Sequence, residues 1–257
     1  MGFQFITYEK AEHVATITMN RPEVLNALHA PAQHELAAAW DDVAADPEVR
    51  VAIITGAGER AFCAGNDLKA SASEGVPRLP PSGFGGICSR FDLWKPVIAA
   101  VNGFAVGGGF EIVLAADIVI AAHHARFGLP EPRVGLLAAA GGVHRLPRQV
   151  PLKVAMGLIL TGRQIAAAEA LRIGIVNEVV AAGDVQETAR RWAAEILECS
   201  PLSVQASKQA AYGGLGRPLA EAITARYPLM DALWKSDDTR EGVQAFVEKR
   251  KPQWKGR

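Results

Sequence analysis

The chain has few cysteines and no excess of charge of either sign. It carries three cysteines, Cys63, Cys88 and Cys199, and 27 basic residues balance 27 acidic ones. A sparse set of cysteines without a CxxC pair is typical of a reducing compartment and not of a disulfide scaffold. A net charge of zero does not favour a nucleic-acid or membrane surface, although basic residues cluster in the final EKRKPQWKGR. We therefore expect neither nucleic acid nor membrane as a partner.

The chain also lacks a long uninterrupted apolar run. Its longest apolar region, 97–122, is broken by Asn102, a glycine triplet, Glu111 and Asp117, and a membrane span is normally cleaner. The N-terminal MGFQFITYEKAEHV has no basic segment followed by an apolar one, so we expect no signal peptide. With 257 residues, 49% of them hydrophobic, the chain can bury a large core. These features predict a cytoplasmic protein.

Several common catalytic motifs are absent. Gly107–Gly109 do not fit the GxGxxG dinucleotide fingerprint, which argues against a nicotinamide oxidoreductase. There is no Walker A sequence, no GxSxG nucleophile elbow and no HExxH. The six histidines show no metal-ligand spacing, so we expect no metal site.

The first two thirds of the chain alternate short apolar runs with helical patterns. Alternation of this kind predicts an α/β domain with parallel strands. The predicted strands are 13–19, 49–56, 95–103 and 117–122, the predicted helix is roughly 31–45, IVLAAD (112–117) has a helical pattern, and 166–180 combines a helix, a glycine break and a strand.

The pattern becomes entirely helical from about residue 184. Asp184 and Glu187 resemble a capping box, and Ser200-Pro201 gives an N-cap followed by proline at the first helical position. SDDTREGVQAFVEKR also opens with capping residues. We predict helices across 184–250. The segment 70–90 is rich in Gly, Pro and Ser, which predicts a mobile loop that shapes a site.

The glycine triplet lies in AVGGGFE (105–111), between a predicted strand and a predicted helix. The first N–H groups of a helix have no internal partner and carry partial positive charge. Glycine lets a ligand atom approach them, since no Cβ intervenes. The triplet therefore suits an anion or a developing oxyanion, or alternatively a tight strand–helix packing turn.

Two further stretches bear on these alternatives. AFCAGNDLK (61–69) forms a second small-residue turn after a buried strand, and an oxyanion hole needs two donors that can come from separate segments. In RFGLPEPRVGL, Glu131 lies between Pro130 and Pro132, which stiffen its backbone. A carboxylate held in this way is either a structural ion-pair partner or a catalytic group.

Together these stretches resemble the enoyl-CoA hydratase/isomerase (crotonase) superfamily, in order and in spacing over essentially the whole chain. The resemblance implies an α/β spiral of ββα units over 1–195, followed by a C-terminal helical oligomerisation region over 196–257 that builds trimers or hexamers. It also implies acyl-CoA thioester substrates, with coenzyme A as part of the substrate and no separate cofactor. The motifs are NRPEVLNAL, FCAGNDLK, AVNGFAVGGGFE, FGLPE, GGVHRLPR and the tail AFVEKRKPQWKGR.

The resemblance implies roles for four residues. The backbone N–H groups of Asn66 and Gly108 would polarise the thioester carbonyl, and Glu111 and Glu131 would be the two catalytic glutamates. Hydration of a 2-enoyl thioester needs one carboxylate to deprotonate water and another to deliver a proton to C2. We assign the first role to Glu111 and the second to Glu131, and the pair should titrate together.

By the same resemblance, six residues would contact the CoA ester: Ala64, Asp67, Leu68, Lys69, Phe246 and Lys249. The sequence departs from the family at Ala138-Ala139, where Pro-Gly is frequent, and Ala139 would place a methyl near the expected water site. An enoyl-CoA hydratase is the leading interpretation. The alternatives are a carnitinyl-CoA-type dehydratase, a Δ3-Δ2 enoyl-CoA isomerase and a silent acyl-CoA binder.

Overall fold

The computed structural model describes residues 2–74 and 78–257. Its strands are β1 Ile6–Ala11, β2 Val14–Met19, β3 Val51–Gly56, β4 Ala61–Cys63, β5 Val97–Val101, β6 Phe104–Val106, β7 Ile118–Ala122, β8 Arg126–Gly128, β9 Gln164–Ala166 and β10 Glu178–Val180. Its helices are α1 Ala30–Ala45, α2 Leu68–Glu74, α3 Gly108–Ala115, α4 Gly142–Gln149, α5 Leu152–Thr161, α6 Ala167–Arg172, α7 Val185–Leu197, α8 Pro201–Gly214, α9 Leu219–Thr224, α10 Pro228–Leu233 and α11 Asp237–Val247.

The strands form two sheets between which the chain passes repeatedly. The larger sheet has the order β1-β2-β3-β5-β7-β10 and the smaller one the order β4-β6-β8-β9. Pairing is parallel except at β1–β2 and β8–β9. After β3, β5 and β7 the chain enters the smaller sheet and returns through helical segments. This repetition is the spiral of ββα units that the sequence predicted.

The central strands follow from their composition. All six residues of β3 and all five of β5 are buried, because the larger sheet is covered on both faces. Strands in that position are apolar throughout. In contrast, β2 alternates buried and half-buried residues, as its sequence predicted. The predicted strands at 13–19, 49–56, 95–103 and 117–122 are confirmed.

The expectation of a mobile loop over 70–90 is wrong for most of that segment. Residues 70–74 belong to α2, residues 83–88 are buried, and residues 75–77 lie outside the described part of the chain. The indole N–H of Trp40 donates to the carbonyl of Gly85 at 3.0 Å, and the Gly85 N–H donates to the side chain of Gln33 at 2.6 Å. The glycines that suggested flexibility instead allow close packing: a Cβ on Gly86 would lie 2.6 Å from the Cα of Ala37 in α1.

The C-terminal third is helical, as predicted. The hydroxyls of Ser200 and Ser236 cap α8 and α11 by accepting from N–H groups three residues on. The predicted capping box at Asp184 is wrong, since Asp184 ends a 3-10 turn and its side chain makes no cap hydrogen bond. Helix α7 packs on β3, β5 and β7, and the predicted domain boundary at residue 195 lies within this helix. The division of the chain into two regions stays a prediction. Among the described residues, no helix is both long enough and apolar enough to span a membrane.

Candidate active site

The first wall of the site is the turn that follows β4. Leu28 pairs with this turn on both sides of Asn66, because its N–H donates to the carbonyl of Gly65 at 2.8 Å and its carbonyl accepts from the N–H of Asp67 at 3.0 Å. Successive peptide groups of an extended segment point to opposite sides. The N–H of Asn66 is therefore directed away from Leu28, and within 2–74 and 78–257 no acceptor takes it.

The second wall is the turn from β6 into α3. Gly107 caps the helix with φ 57° and ψ −131°, a conformation that favours glycine. Gly108 is the first helical residue, and its N–H has no partner among the described residues. A Cβ on Gly65 would stand 3.0 Å from the nitrogen of Gly108, so the two turns touch. The structure thus brings the two predicted donors together.

Close packing requires glycine at positions 108 and 109 of the triplet. A Cβ on Gly108 would lie 2.4 Å from the ring of Phe84, and one on Gly109 would lie 2.0 Å from the carbonyl oxygen of Cys63. Both distances are far below van der Waals contact. Both interpretations of the glycine triplet therefore apply. The turn is packed tightly against its neighbours, and it also leaves a helix N-terminus open to a ligand.

Glu111 is buried one turn into α3, with 3% of its surface exposed. Its Oε1 accepts a hydrogen bond from the N–H of Gly142, the first residue of α4, at 2.8 Å. Burial raises the pKa of Glu111 to about 7, opposed by the Gly142 N–H and reinforced by the charge of Glu131. A carboxyl with this pKa exchanges protons near neutral pH, which is what an acid–base catalyst requires.

Glu131 opens the 3-10 turn Glu131–Val134, where Pro130 and Pro132 fix its backbone. Its Oε1 lies 3.2 Å from the position that a Cβ would take on Gly107, beside the start of α3. Its Oε2 is buried and has no hydrogen-bond partner among the described residues. Burial raises the pKa of this carboxyl as well. A buried acceptor without a partner is costly and indicates a place for a ligand or water.

These groups form one constellation with a definite chemistry. Two free N–H groups can hold an oxygen on which negative charge develops. Two interacting carboxyls can take and give protons beside it, and the raised pKa of Glu111 in part reflects the charge of Glu131. The site suits proton transfer next to a carbonyl.

The predicted CoA contacts fall into two groups. Ala64 lies on the first turn, and the exposed Leu68 and Lys69 begin α2 at its rim. Asp67 is already engaged within the chain by Arg21 and by the N–H of Ala70.

The other two predicted contacts lie at the end of the chain. Phe246 on α11 is 86% exposed, and the exposed Lys249 follows this helix. Among the described residues, no side-chain hydrogen bond or ion pair links Phe246 or Lys249 to the two turns of the site. All six contacts stay predictions.

The structure adds residues that sequence reasoning missed. Phe84 covers Gly108, and Ala140 and Gly142, at the start of α4, present N–H groups to Glu111. The small residues of GLLAAAGG were the available signal for such a turn. Ala138 is buried, with its Cβ 3.0 Å from where a Cβ on Gly142 would stand, whereas Ala139 is exposed. Ala138 therefore packs beside Gly142, which holds Glu111, and the expected effect of Ala139 on the water site stays a prediction.

The ββα spiral and the paired carboxyls beside two free amides define a protein of the crotonase fold. Crystal structures of this fold match closely: enoyl-CoA hydratase EchA1 from Mycobacterium marinum has a TM-score of 0.93 and 37% identity, covering 98% of this chain and 99% of that one. Enoyl-CoA hydratase from Bacillus anthracis has a TM-score of 0.90 and 36% identity, covering 99% and 100%.

Sequence comparison identifies the family within the crotonase fold to which the chain belongs. The model of the enoyl-CoA hydratase/isomerase family matches residues 9–257, and the chain belongs to that family. (E)-Benzylidenesuccinyl-CoA hydratase of Thauera aromatica is 43% identical, over 98% of this chain and 99% of that protein. Carnitinyl-CoA dehydratase of Salmonella typhi is 44% identical, over 95% of each.

Proposed function

We propose that this protein is an enoyl-CoA hydratase, a lyase that reversibly adds water to the α,β double bond of a 2-enoyl-CoA thioester. The observation that carries the proposal is a pair of carboxyls, the buried Glu111 and the half-buried Glu131 with its buried Oε2, beside the free N–H groups of Asn66 and Gly108. Two of the relatives support it, since their names describe a hydratase and a dehydratase of CoA compounds.

The chemistry assigns a task to each group. The thioester oxygen accepts hydrogen bonds from the N–H groups of Asn66 and Gly108. Glu111 takes a proton from water, whose oxygen bonds to C3, and the electron pair of the double bond moves toward the thioester oxygen as an enolate. Glu131 then delivers its proton to C2. The reverse sequence eliminates water. The assignment of one role to each carboxyl stays a prediction, because the proton belongs to the coupled pair.

A Δ3-Δ2 isomerase is the second candidate on the same scaffold. Shifting a double bond moves one proton between two carbons of the same molecule, for which one carboxylate suffices. The second carboxyl, the half-buried Glu131 with its buried and unpartnered Oε2, favours the addition of water. Elimination from a hydroxyacyl-CoA such as carnitinyl-CoA uses the same groups in reverse.

The remaining parts of the proposal concern partners. Ala64, Leu68 and Lys69 would line the entry of the CoA moiety, where a lysine can meet a phosphate as a point charge. The C-terminal helices would assemble the chain into homotrimers or hexamers, and the protein would work in the cytoplasm. Coenzyme A would enter only as part of the substrate.

The decisive experiment follows the absorbance of the conjugated thioester when purified protein is mixed with crotonyl-CoA. Glu111→Ala and Glu131→Gln should each lower the rate at least a hundredfold with little change in affinity for the CoA ester. Glu9→Gln, on the exposed face of β1, is the matched control and should behave like the wild type. Turnover that survives Glu131→Gln would exclude the two-carboxyl mechanism. If crotonyl-CoA binds but does not react, hydroxyacyl- and β,γ-enoyl-CoA esters would test the alternatives.

A further inference from the structure

We propose that Arg21 and Asp67 are a positioning pair that aims the N–H of Asn66 into the site. The inference rests on the proposed function, since it concerns the oxyanion donor of that reaction. Neither side chain lies among the reacting groups. In this role Asp67 acts within the protein and does not contact CoA.

Both side chains are largely buried and face each other. The Nη1 of Arg21 lies 3.0 Å from the Oδ2 of Asp67, with 15% and 11% of the two side chains exposed. The same Nη1 donates to the carbonyl of Ala27 at 2.6 Å. The other carboxylate oxygen of Asp67 accepts from the N–H of Ala70 at 3.2 Å and so starts α2. The pair therefore ties residue 27 to residue 67.

Residue 67 is one end of the bridge that orients Asn66, and residue 27 adjoins its other end. Ala27 precedes Leu28, which holds the carbonyl of Gly65 and the N–H of Asp67. A shift of Leu28 relative to Asp67 would rotate the peptide group that joins Gly65 to Asn66. That peptide group carries the N–H of Asn66, and a donor acts on an oxyanion only when it is aimed at it.

The segment that holds Leu28 is strained, which explains why it needs a restraint. Leu25 and Asn26 both have φ of 56°, in the left-handed region that side chains disfavour. The side chain of Asn26 donates to the carbonyls of Ala57 and Ala61 at 3.0 and 2.8 Å. It also accepts from the N–H of Arg21 at 3.0 Å. Arg21 therefore restrains this segment with both its backbone and its side chain.

The test uses the full chain with Asp67→Asn and Arg21→Lys. Asparagine keeps the size and an acceptor for Ala70 but loses the charge, while lysine keeps the charge but has no planar guanidinium to bridge two acceptors. We expect kcat to fall about tenfold with Asp67→Asn and less with Arg21→Lys, because a displaced donor retains part of its effect. We expect the KM for crotonyl-CoA to change less than about threefold, since the contacts to CoA remain.

The control is the same substitution in a second buried ion pair. Asp117 lies 2.6 Å from the ammonium of Lys208, with 16% and 14% of their side chains exposed, and has no link to Asn66. Asp117→Asn should lower thermal stability without a selective loss of kcat. If Asp67→Asn and Asp117→Asn lose kcat in the same proportion to their loss of stability, Asp67 is merely structural and the inference is wrong.

A spectroscopic measurement separates this inference from the proposed function. The long-wavelength band of 4-dimethylaminocinnamoyl-CoA moves to the red when its thioester carbonyl is polarised. The wild type should shift this band on binding, and Asp67→Asn should bind the ester with a shift at least a third smaller. An equal shift in both proteins would overturn the positioning role. Absence of any shift in the wild type would instead count against the oxyanion site, and with it the proposed function.

Discussion

At the scale of single residues, Glu111 is the side chain at which function and stability oppose each other. Burial raises its pKa from 4.5 to about 7, because the ionised form loses its hydration. Folding therefore penalises the carboxylate that the proposed reaction needs. Its hydrogen bond from Gly142 recovers part of this cost and fixes the direction of the carboxyl group.

Glu111→Gln should make the protein more stable at alkaline pH while inactivating it. Below pH 4.5 both the folded and the unfolded state keep the proton, so the carboxyl adds no penalty. Between pH 4.5 and about 7 only the unfolded state releases it, and the free energy of unfolding falls as the pH rises. Glutamine escapes this loss, which is on the order of 3 kcal/mol above pH 7.

Thermal unfolding of the wild type and Glu111→Gln at pH 4.5 and pH 8 measures this difference. The Tm gain of the variant should be about 5 °C larger at pH 8 than at pH 4.5. Glu9→Gln, on the exposed face of β1, should show no such dependence. An equal effect at both pH values would mean that Glu111 is not destabilised as a carboxylate.

The same residues predict a bell-shaped pH profile of kcat/KM for hydration. The active form carries one proton on the pair, so activity should fall when the last proton leaves, near the pKa of about 7 of Glu111. Activity should also fall at acid pH, where the second carboxyl becomes protonated. The pH of this fall should lie above the usual glutamate pKa, because burial raises the pKa of Glu131. Initial rates from pH 4 to 10 measure this profile, and a rate that keeps rising through pH 9 would contradict it.

At the scale of elements, the junction between β6 and α3 combines packing with an open helix N-terminus. Gly109 faces backbone, the carbonyl of Cys63, whereas Gly108 faces a side chain, the ring of Phe84. Backbone inside a sheet cannot yield, but a ring can rotate or shift. The two neighbouring glycines should therefore respond differently to an added methyl group.

Gly109→Ala should destabilise the fold by 3 kcal/mol or more, since a Cβ would lie 2.0 Å from the carbonyl oxygen of Cys63. Gly108→Ala should fold but lose most activity as Phe84 is pushed against the site. Gly157→Ala is the control: nothing lies within 4 Å of its added Cβ in α5, so stability should rise by about 0.5–1 kcal/mol. Urea unfolding and crotonyl-CoA turnover distinguish the three, and equal behaviour of Gly108→Ala and Gly109→Ala would refute the distinction.

At the scale of the whole molecule, the C-terminal helices leave large apolar side chains in solvent. Leu219 and Ile223 on α9, Trp234 after α10 and Phe246 on α11 are each 67% exposed or more. A contiguous exposed apolar patch is typical of an interaction surface, and these four side chains come from one stretch of the sequence. They support the proposed assembly of several chains through these helices.

Ile223→Glu should weaken that assembly, because a charge would be buried in an apolar contact. Light scattering after gel filtration should give a particle three or six times the 27.3 kDa chain for the wild type, and smaller species for the variant. Thr7→Glu places the same charge on the exposed face of β1 and should leave the mass unchanged. A monomeric wild type would refute the proposed assembly.

The sequence predicted elements whose signal is local. Period-two alternation in β2, the uniformly apolar β3 and β5, and the serine caps of α8 and α11 depend on residues a few positions apart. Of the two failed predictions, the first involves a distant partner and the second a competing local turn. Segment 83–88 is buried because Gly86 packs against Ala37 of α1, and the capping box at Asp184 is absent because a 3-10 turn leads into α7.

The sequence by itself determined the type of fold, the glycine turns and the identity of the four central residues of the candidate site. Only the tertiary structure decided how these groups meet: that Leu28 orients Asn66, that Gly142 holds Glu111, and that Phe84 covers Gly108. The physical reason is that side-chain type and spacing are local properties, whereas desolvation, the direction of a free N–H and the contact of two turns depend on segments far apart in the chain.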